Sequence, residues 1–265
     1  MITYCNIGQP GDRLVIHDVD SASLQKIYLD HFDLGMPVVR EDMSDRPRSQ
    51  GTNDFTSFYG ARAISMSGVL FSKTLEEQAT LLDSLKAHFS LYGSAQKEIV
   101  FQRLGRAYKE FCYGRVADFN APIDTPGNMI TWDAVFVCHD PRIYRRHTPD
   151  PATVSFKSKH VIHNTGTGIG SPPVIRIYGP ADIGCGVKNS SLDVERTFEL
   201  AREIHRGSHV EIDMATRIAT LNGTRTQNVL KPGAWFWQLK PGTNHIQRFG
   251  GLDGHIEIDW REARL

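Results

Sequence analysis

Between Cys138 and Arg146 the chain reads CHDPRIYRR, a thiol, a histidine, an aspartate and three arginines in one short run. A His–Asp pair can serve as a base and its orienting carboxylate, but catalysis also needs a third group and a pocket. The local sequence supplies neither. Pro141 cannot continue a central ladder, and an Asp ahead of a Pro favours a turn in which the carboxylate accepts from nearby backbone N–H groups. The run therefore reads as the corner where one domain ends and a linker begins. Glu211 and Asp213 form a second candidate. A two-residue step on a strand leaves two carboxylates on one face about 7 Å apart, inside the range used by glycosidases. Solvated strands show the same spacing, so a β-sandwich hydrolase is the remote reading of this pair.

Eleven histidines invite a metal. His160 and His163 are three apart on an expected strand, which points them to opposite faces. His205 and His209 straddle Gly207 and share no helical face. H-x-H and H-E-x-x-H do not occur, so no metal ligands are assigned. Cys5, Cys112, Cys138 and Cys185 form no C-x-x-C pair and are expected as free buried thiols. NTGTGIGSPP, residues 164–173, matches neither dinucleotide nor P-loop spacing and precedes no helix, so it reads as a flexible inter-strand loop without phosphate. No G-x-S-x-G elbow is present. Catalytic, metal-binding and cofactor residues are all expected to be none, and binding residues stay unassigned. WFWQL places Trp235 and Trp237 on one face of an expected strand with Phe236 opposite. Such a pair fills a sandwich core or stacks on sugar, and packing is the default role.

The elements that would position these residues are mostly strands. Of the 265 residues 40% are hydrophobic, enough for a real core, and 30 Lys plus Arg balance 30 Asp plus Glu. A chain of zero net charge has no overall pull toward nucleic acid or anionic membrane. The N-terminus lacks the basic and apolar regions of a secretory signal, and no apolar run approaches the ~18 residues of a spanning helix. Folding in a cytoplasm is therefore expected.

Two-residue alternation marks strands at 61–71, 97–104, 108–116 and 128–139, the middle two forming a hairpin around Gly105. One helix is expected over 74–92. Thr74 and Glu77 make a capping box, Leu75, Ala79, Leu82, Leu85 and Phe89 form its apolar stripe, and Gly93 closes it. Residues 38–60 are charged, punctuated by Gly and Pro and weakly periodic. They read as either a solvated loop or an arm that orders against a partner subunit. After Tyr144 the run RRHTPDPATV reads as a linker, and short strands then recur every 8–12 residues, the spacing of a β-sandwich. The fold class is thus mainly β: an α+β domain over 1–145 and a sandwich over 146–265.

The ordered set YGARAISMSGVLF, the capped helix, IVFQRLGRAY, DPRIY, HNTGTGIGSPPVIRIYGP, HVEIDMATRIATLNG, WFWQLKPGTNHI and IEIDWREARL resembles the distal tail proteins of siphophages, the bacteriophages with long non-contractile tails. The resemblance covers nearly the whole chain. It implies a structural protein of the virion tail tip, not an enzyme, with no cofactor. Its N-terminal domain would form a homohexameric ring between the tail tube protein and the baseplate hub or tail-associated protein. DNA would pass through the lumen as cargo without sequence-specific binding, and no part would insert in a membrane. The C-terminal domain would be a galectin-like sandwich, and residues 38–60 a loop or hairpin gripping a neighbouring subunit. The other open reading is a carbohydrate-binding sandwich for host-surface adhesion. Its difficulty is that the sequence shows no polar set around the tryptophans.

Overall fold

The computed structural model describes residues 2–9, 12–18, 26–41, 43–45, 52–54, 58–90, 96–122, 128–147, 150–192, 196–226, 228–251 and 253–265. They fall into two compact units, residues 1–143 and 144–264.

The first unit is built on antiparallel strands in the spatial order Asp12–Asp18, Ile2–Gln9, Lys97–Arg103, Glu110–Asn120, Met129–Cys138, Arg62–Phe71 and Ile27–Asp33. Alternation sets the pairing. Ile64 and Met66 on one central strand, and Ile130, Trp132, Ala134, Phe136 and Cys138 on its neighbour, are all buried, while the intervening residues face outward or are half-buried. The strands Lys97–Arg103 and Glu110–Asn120 pair across the turn containing Gly105, as the hairpin pattern predicts.

The helix Leu75–Phe89 covers this core. The Thr74 hydroxyl accepts from the Glu77 N–H at 3.2 Å. The Glu77 carboxylate reaches back one residue further than a capping box requires, accepting from the Lys73 N–H at 2.8 Å, and also pairs with Lys26. The helix stops at Phe89 because Ser90 is extended, and Gly93, the expected cap, lies outside the described residues. The buried stripe also differs from expectation. It runs through Gln78, Leu82, Leu85 and Phe89, whereas Leu75 is 69% exposed and Ala79 faces solvent. At 100° per residue Ala79 lies about 90° round from the centre of that face, and Leu75 stands in the first turn about 50° away. Phe89 anchors the helix, its ring 4.8 Å from Phe119, 5.5 Å from Phe136 and 5.7 Å from Trp132.

Within 38–60, Val39–Arg40 pairs with Phe58–Tyr59 as a short two-stranded ribbon, and Met43–Asp45 pairs with Thr52–Asp54 as a second short pair.

The second unit is a sandwich of two antiparallel sheets. One has the order Ala152–Phe156, Ile256–Trp260, Val174–Tyr178, His209–Asp213, Ile218–Leu221, Thr224–Arg225. The other runs Lys159–Asn164, Gly242–Phe249, Gly186–Asn189, Arg196–Glu199. Ile175, Ile177, Val210, Ile212, Ile256 and Ile258 from the first sheet meet Ile162, Val187, Phe198 and Ile246 from the second in one core. The architecture is mainly β, as the alternation predicts. Two details depart from expectation. WFWQL is not a strand: residues 234–238 are irregular and only Leu239 makes a bridge, to Ser171. Gly186–Asn189 is a strand that alternation gives no sign of, since Val187 is its one large apolar residue.

Candidate functional site

CHDPRIYRR holds no reactive pair. Asp140 accepts from the Arg142 N–H at 3.1 Å and from its Nη1 at 2.9 Å, which makes the turn expected of an Asp before Pro. Beneath it the Pro141 carbonyl accepts from Nε of the buried Arg62 at 3.0 Å. The later arginines hold acids of the second unit. Arg145 Nη1 is 3.1 Å from Glu262, and Arg146 Nε is 3.9 Å from Asp150, which also accepts from Arg261. The expected linker mouth is thus a set of ion pairs.

Glu211 and Asp213 face the same way, but each is committed. Glu211 accepts from Arg176 Nε at 2.7 Å, and Arg176 Nη1 reaches Asp259 at 2.5 Å. Burial pushes the Arg176 pKa down, but the bonds to Asp259 and Glu211 outweigh it and raise the pKa. Asp213 accepts from the N–H groups of Ala215 and Thr216 and shapes the turn after its strand. With Arg176 bonded to both Glu211 and Asp259, and Asp213 spent on its turn, the Glu211 and Asp213 carboxylates are tied into structural contacts.

The histidines are dispersed. His160 stacks on Phe156, His163 meets Thr243, His205 pairs with Glu203, and His209 and His255 flank the Tyr178 ring at 5.3 and 4.4 Å. Among the described residues no group of three His, Cys, Asp or Glu side chains could hold a metal. All four cysteines are buried. Burial pushes the Cys5 thiol up to about 12. A hydrogen bond between Cys112 and Cys138 raises the first thiol and lowers the second, with the Arg62 guanidinium favouring charge on both.

The Gly-rich run is fixed, contrary to the flexible loop expected of it. Buried Asn164 donates to Ser171 Oγ at 3.2 Å and to the Leu239 carbonyl at 3.1 Å, while its Oδ1 accepts from the Gly166 N–H at 3.1 Å. Ser171 Oγ accepts in turn from the Ala263 N–H at 3.0 Å. Gly166 is required because a Cβ there would meet the Ala263 carbonyl oxygen at 2.3 Å. The run ties the end of the chain to the sandwich instead of cradling a ligand.

Two exposed features remain. In the first unit, Met36, Val38, Val39, Phe58 and Tyr59 expose apolar side chains along the ribbon and its approach, Met36 at 75% and Phe58 at 61%. In the second unit, the tryptophans expected to share a face diverge. Trp237 is buried in the core at 4%, and Trp235 is 54% exposed. Trp235 lines an open cleft of about 550 Å³ together with Arg196, Arg217, Phe236, Gln238 and Lys240. The sequence hid this cleft because its cations come from separate segments whose spacing carries no signal.

Comparison with known proteins places these features in context. Residues 173–263 match the siphovirus-type tail component family, C-terminal domain. No curated protein sequence matches the chain significantly. Among solved structures, the Dit protein of phage SPP1, described as a paradigm of the hub adsorption apparatus in phages infecting Gram-positive bacteria, has a TM-score of 0.72 at 14% identity, over 98% of this chain and 99% of that one. The phage P2 baseplate in its activated conformation with Ca gives 0.55 at 12% identity, over 98% of each chain. The same baseplate with Sr gives 0.54 at 12% identity, over 97% of each. At such identity the likeness is one of fold.

Proposed function

We propose, from the premise that residues 173–263 form a siphovirus tail-component domain, that this protein is a structural part of a phage tail tip whose first unit assembles into a homohexameric ring. The ring joins the tail tube to the baseplate hub and leaves a lumen through which DNA passes. The domain boundary suited to this role lies near residues 145 and 146, with the ring-forming part before it and the galectin-like sandwich after it. The role is mechanical, without catalysis or cofactor, and places the folded protein at the virion tail tip.

The observation that carries this reading is the apolar ribbon. Val38, Val39, Phe58 and Tyr59 lie on a paired element that leaves them in solvent in the single chain. Large apolar side chains grouped in solvent on one paired element mark a contact surface. A ribbon on one copy seated on a different surface of the next makes a heterologous contact, and such contacts close into rings when the rotation allows. Arg40, Glu41 and the other charges of 38–60 would then set the register between neighbours.

Native mass spectrometry of the full chain, alone and with tube and hub proteins, tests this. Six copies in one particle are expected, with Val39→Asp plus Phe58→Asp giving folded monomers. A wild-type chain that stays monomeric at high concentration in both settings overturns the ring.

A further inference from the structure

We propose that the cleft around Trp235 binds an acidic saccharide, a sugar ring bearing a carboxylate or phosphate. Its construction is the argument. Trp235 is held from behind: its backbone N–H donates to the Thr197 carbonyl at 2.9 Å, and Trp237, two residues on, is buried in the sandwich core. Trp235 is thus presented on a braced backbone, with the residue 54% exposed. An exposed indole on a rigid support is a stacking platform for the C–H face of a pyranose.

The charge of the cleft selects among ligands. The Arg196 guanidinium stacks over one face of the Trp235 ring, its Cζ 4.0 Å from the centroid, so a sugar would use the other face, and Arg217 and Lys240 line the same cleft. Three cations, with no carboxylate among the described lining residues, in a chain of zero net charge, favour an anion there. Gln238 adds an amide able both to donate to and to accept from sugar hydroxyls.

Arg217 is the more telling cation. Its φ of 60° lies in the left-handed region, where the sandwich otherwise places glycine or asparagine, as at Gly207, Gly223, Gly233, Asn222 and Asn228. A glycine would close this turn without strain, yet the position carries a guanidinium that lines the cleft. The cleft volume suits one or two sugar rings. Single-stranded nucleic acid would need a longer basic track with several stacking rings, and only one exposed indole stands here.

Because the cleft lies within the second unit, its test is independent of ring assembly. The intact protein is titrated with tetragalacturonate, a glycerol-phosphate-substituted oligosaccharide, uncharged maltotetraose, inorganic phosphate and a single-stranded oligonucleotide, followed by calorimetry and by Trp235 fluorescence. An array of acidic glycans widens the search. At least one acidic saccharide is expected to bind, more tightly than the neutral sugar by about tenfold or more, and more weakly as salt rises. Trp235→Ala and Arg196→Gln are each expected to weaken binding by about tenfold. Lys240→Gln, at an exposed position, serves as a second variant whose folding is secure. Absence of binding to every acidic saccharide overturns the proposal. So does equal affinity for maltotetraose, preference for the oligonucleotide, or affinity unchanged in all three variants.

Discussion

Arg62 Nε donates to the Pro141 carbonyl at 3.0 Å, so the corner that reads like a catalytic cluster is fixed from inside by an arginine seventy-nine residues earlier in the chain. The same guanidinium donates through Nη1 to the carbonyls of Gly35 at 2.9 Å and Leu34 at 3.3 Å. One side chain, 2% exposed, thus ties three carbonyls of two backbone segments together, and burial lowers its pKa from the usual arginine value. Replacing it with methionine keeps most of the volume but leaves those carbonyls without their donor. Since each unpaired buried acceptor costs about 1–3 kcal/mol, Arg62→Met is expected to destabilise the protein by about 3 kcal/mol or more in urea unfolding. A loss below about 0.5 kcal/mol would show that water replaces the guanidinium.

Cys5 predicts a response to alkali. Its thiol is pushed from the ordinary 9.0 up to about 12 by burial. Below pH 9 both folded and unfolded thiols are protonated and the group is neutral to stability. Between about 9 and 12 the unfolded chain releases this proton and the folded chain keeps it, so stability falls as pH rises through that window. Unfolding free energy measured from pH 8 to 11 is expected to fall less steeply for Cys5→Ala than for the wild type. Parallel slopes would mean the thiol ionises in the folded state as readily as in water. Native Cys5 is likewise expected to resist iodoacetamide at pH 8 and to react once urea unfolds the chain.

The knot at Asn164 predicts a sharp local intolerance. Gly166→Ala would drive a methyl into the Ala263 carbonyl, a backbone group that cannot swing aside. Asn164→Ala would remove the donor shared by Ser171 and Leu239 and the acceptor of the Gly166 N–H. Each change is expected to cost about 2–4 kcal/mol by thermal unfolding, because buried polar networks fail as units. The double variant is expected to cost less than the two single losses together, since both break the same network.

How far the sequence carries follows from what kind of signal each feature leaves. Ile64, Met66, Ile130, Trp132 and Phe136 were legible because alternation records which face of a strand is buried. The Thr74 cap was legible because it is local, a hydroxyl and an N–H three residues apart. Arg62 was not, because a charged residue reads as solvated until the carbonyls of Leu34, Gly35 and Pro141 are brought to it. Nor was the cleft, whose Arg196, Arg217 and Lys240 meet only after two sheets have folded. The tryptophans show the same limit from the other side. A period of two assigns Trp235 and Trp237 to one face only if a strand runs through them, and residues 234–238 form none.

That divergence gives the last prediction. Trp237 is 4% exposed within the sandwich core, and its indole N–H is buried with no hydrogen-bond partner among the described residues. Trp237→Ala opens a cavity and is expected to cost about 3–5 kcal/mol. Trp237→Phe keeps an aromatic ring and removes the unpaired donor, whose burial already costs about 1–3 kcal/mol, so its loss of packing is partly offset and it is expected to cost much less than the alanine change. Trp235, 54% exposed, is expected to tolerate alanine within about 1 kcal/mol. Differential scanning calorimetry of the three variants separates these outcomes. Equal destabilisation by Trp235→Ala and Trp237→Ala would mean that both indoles carry the core, and the exposed platform would then not exist in solution.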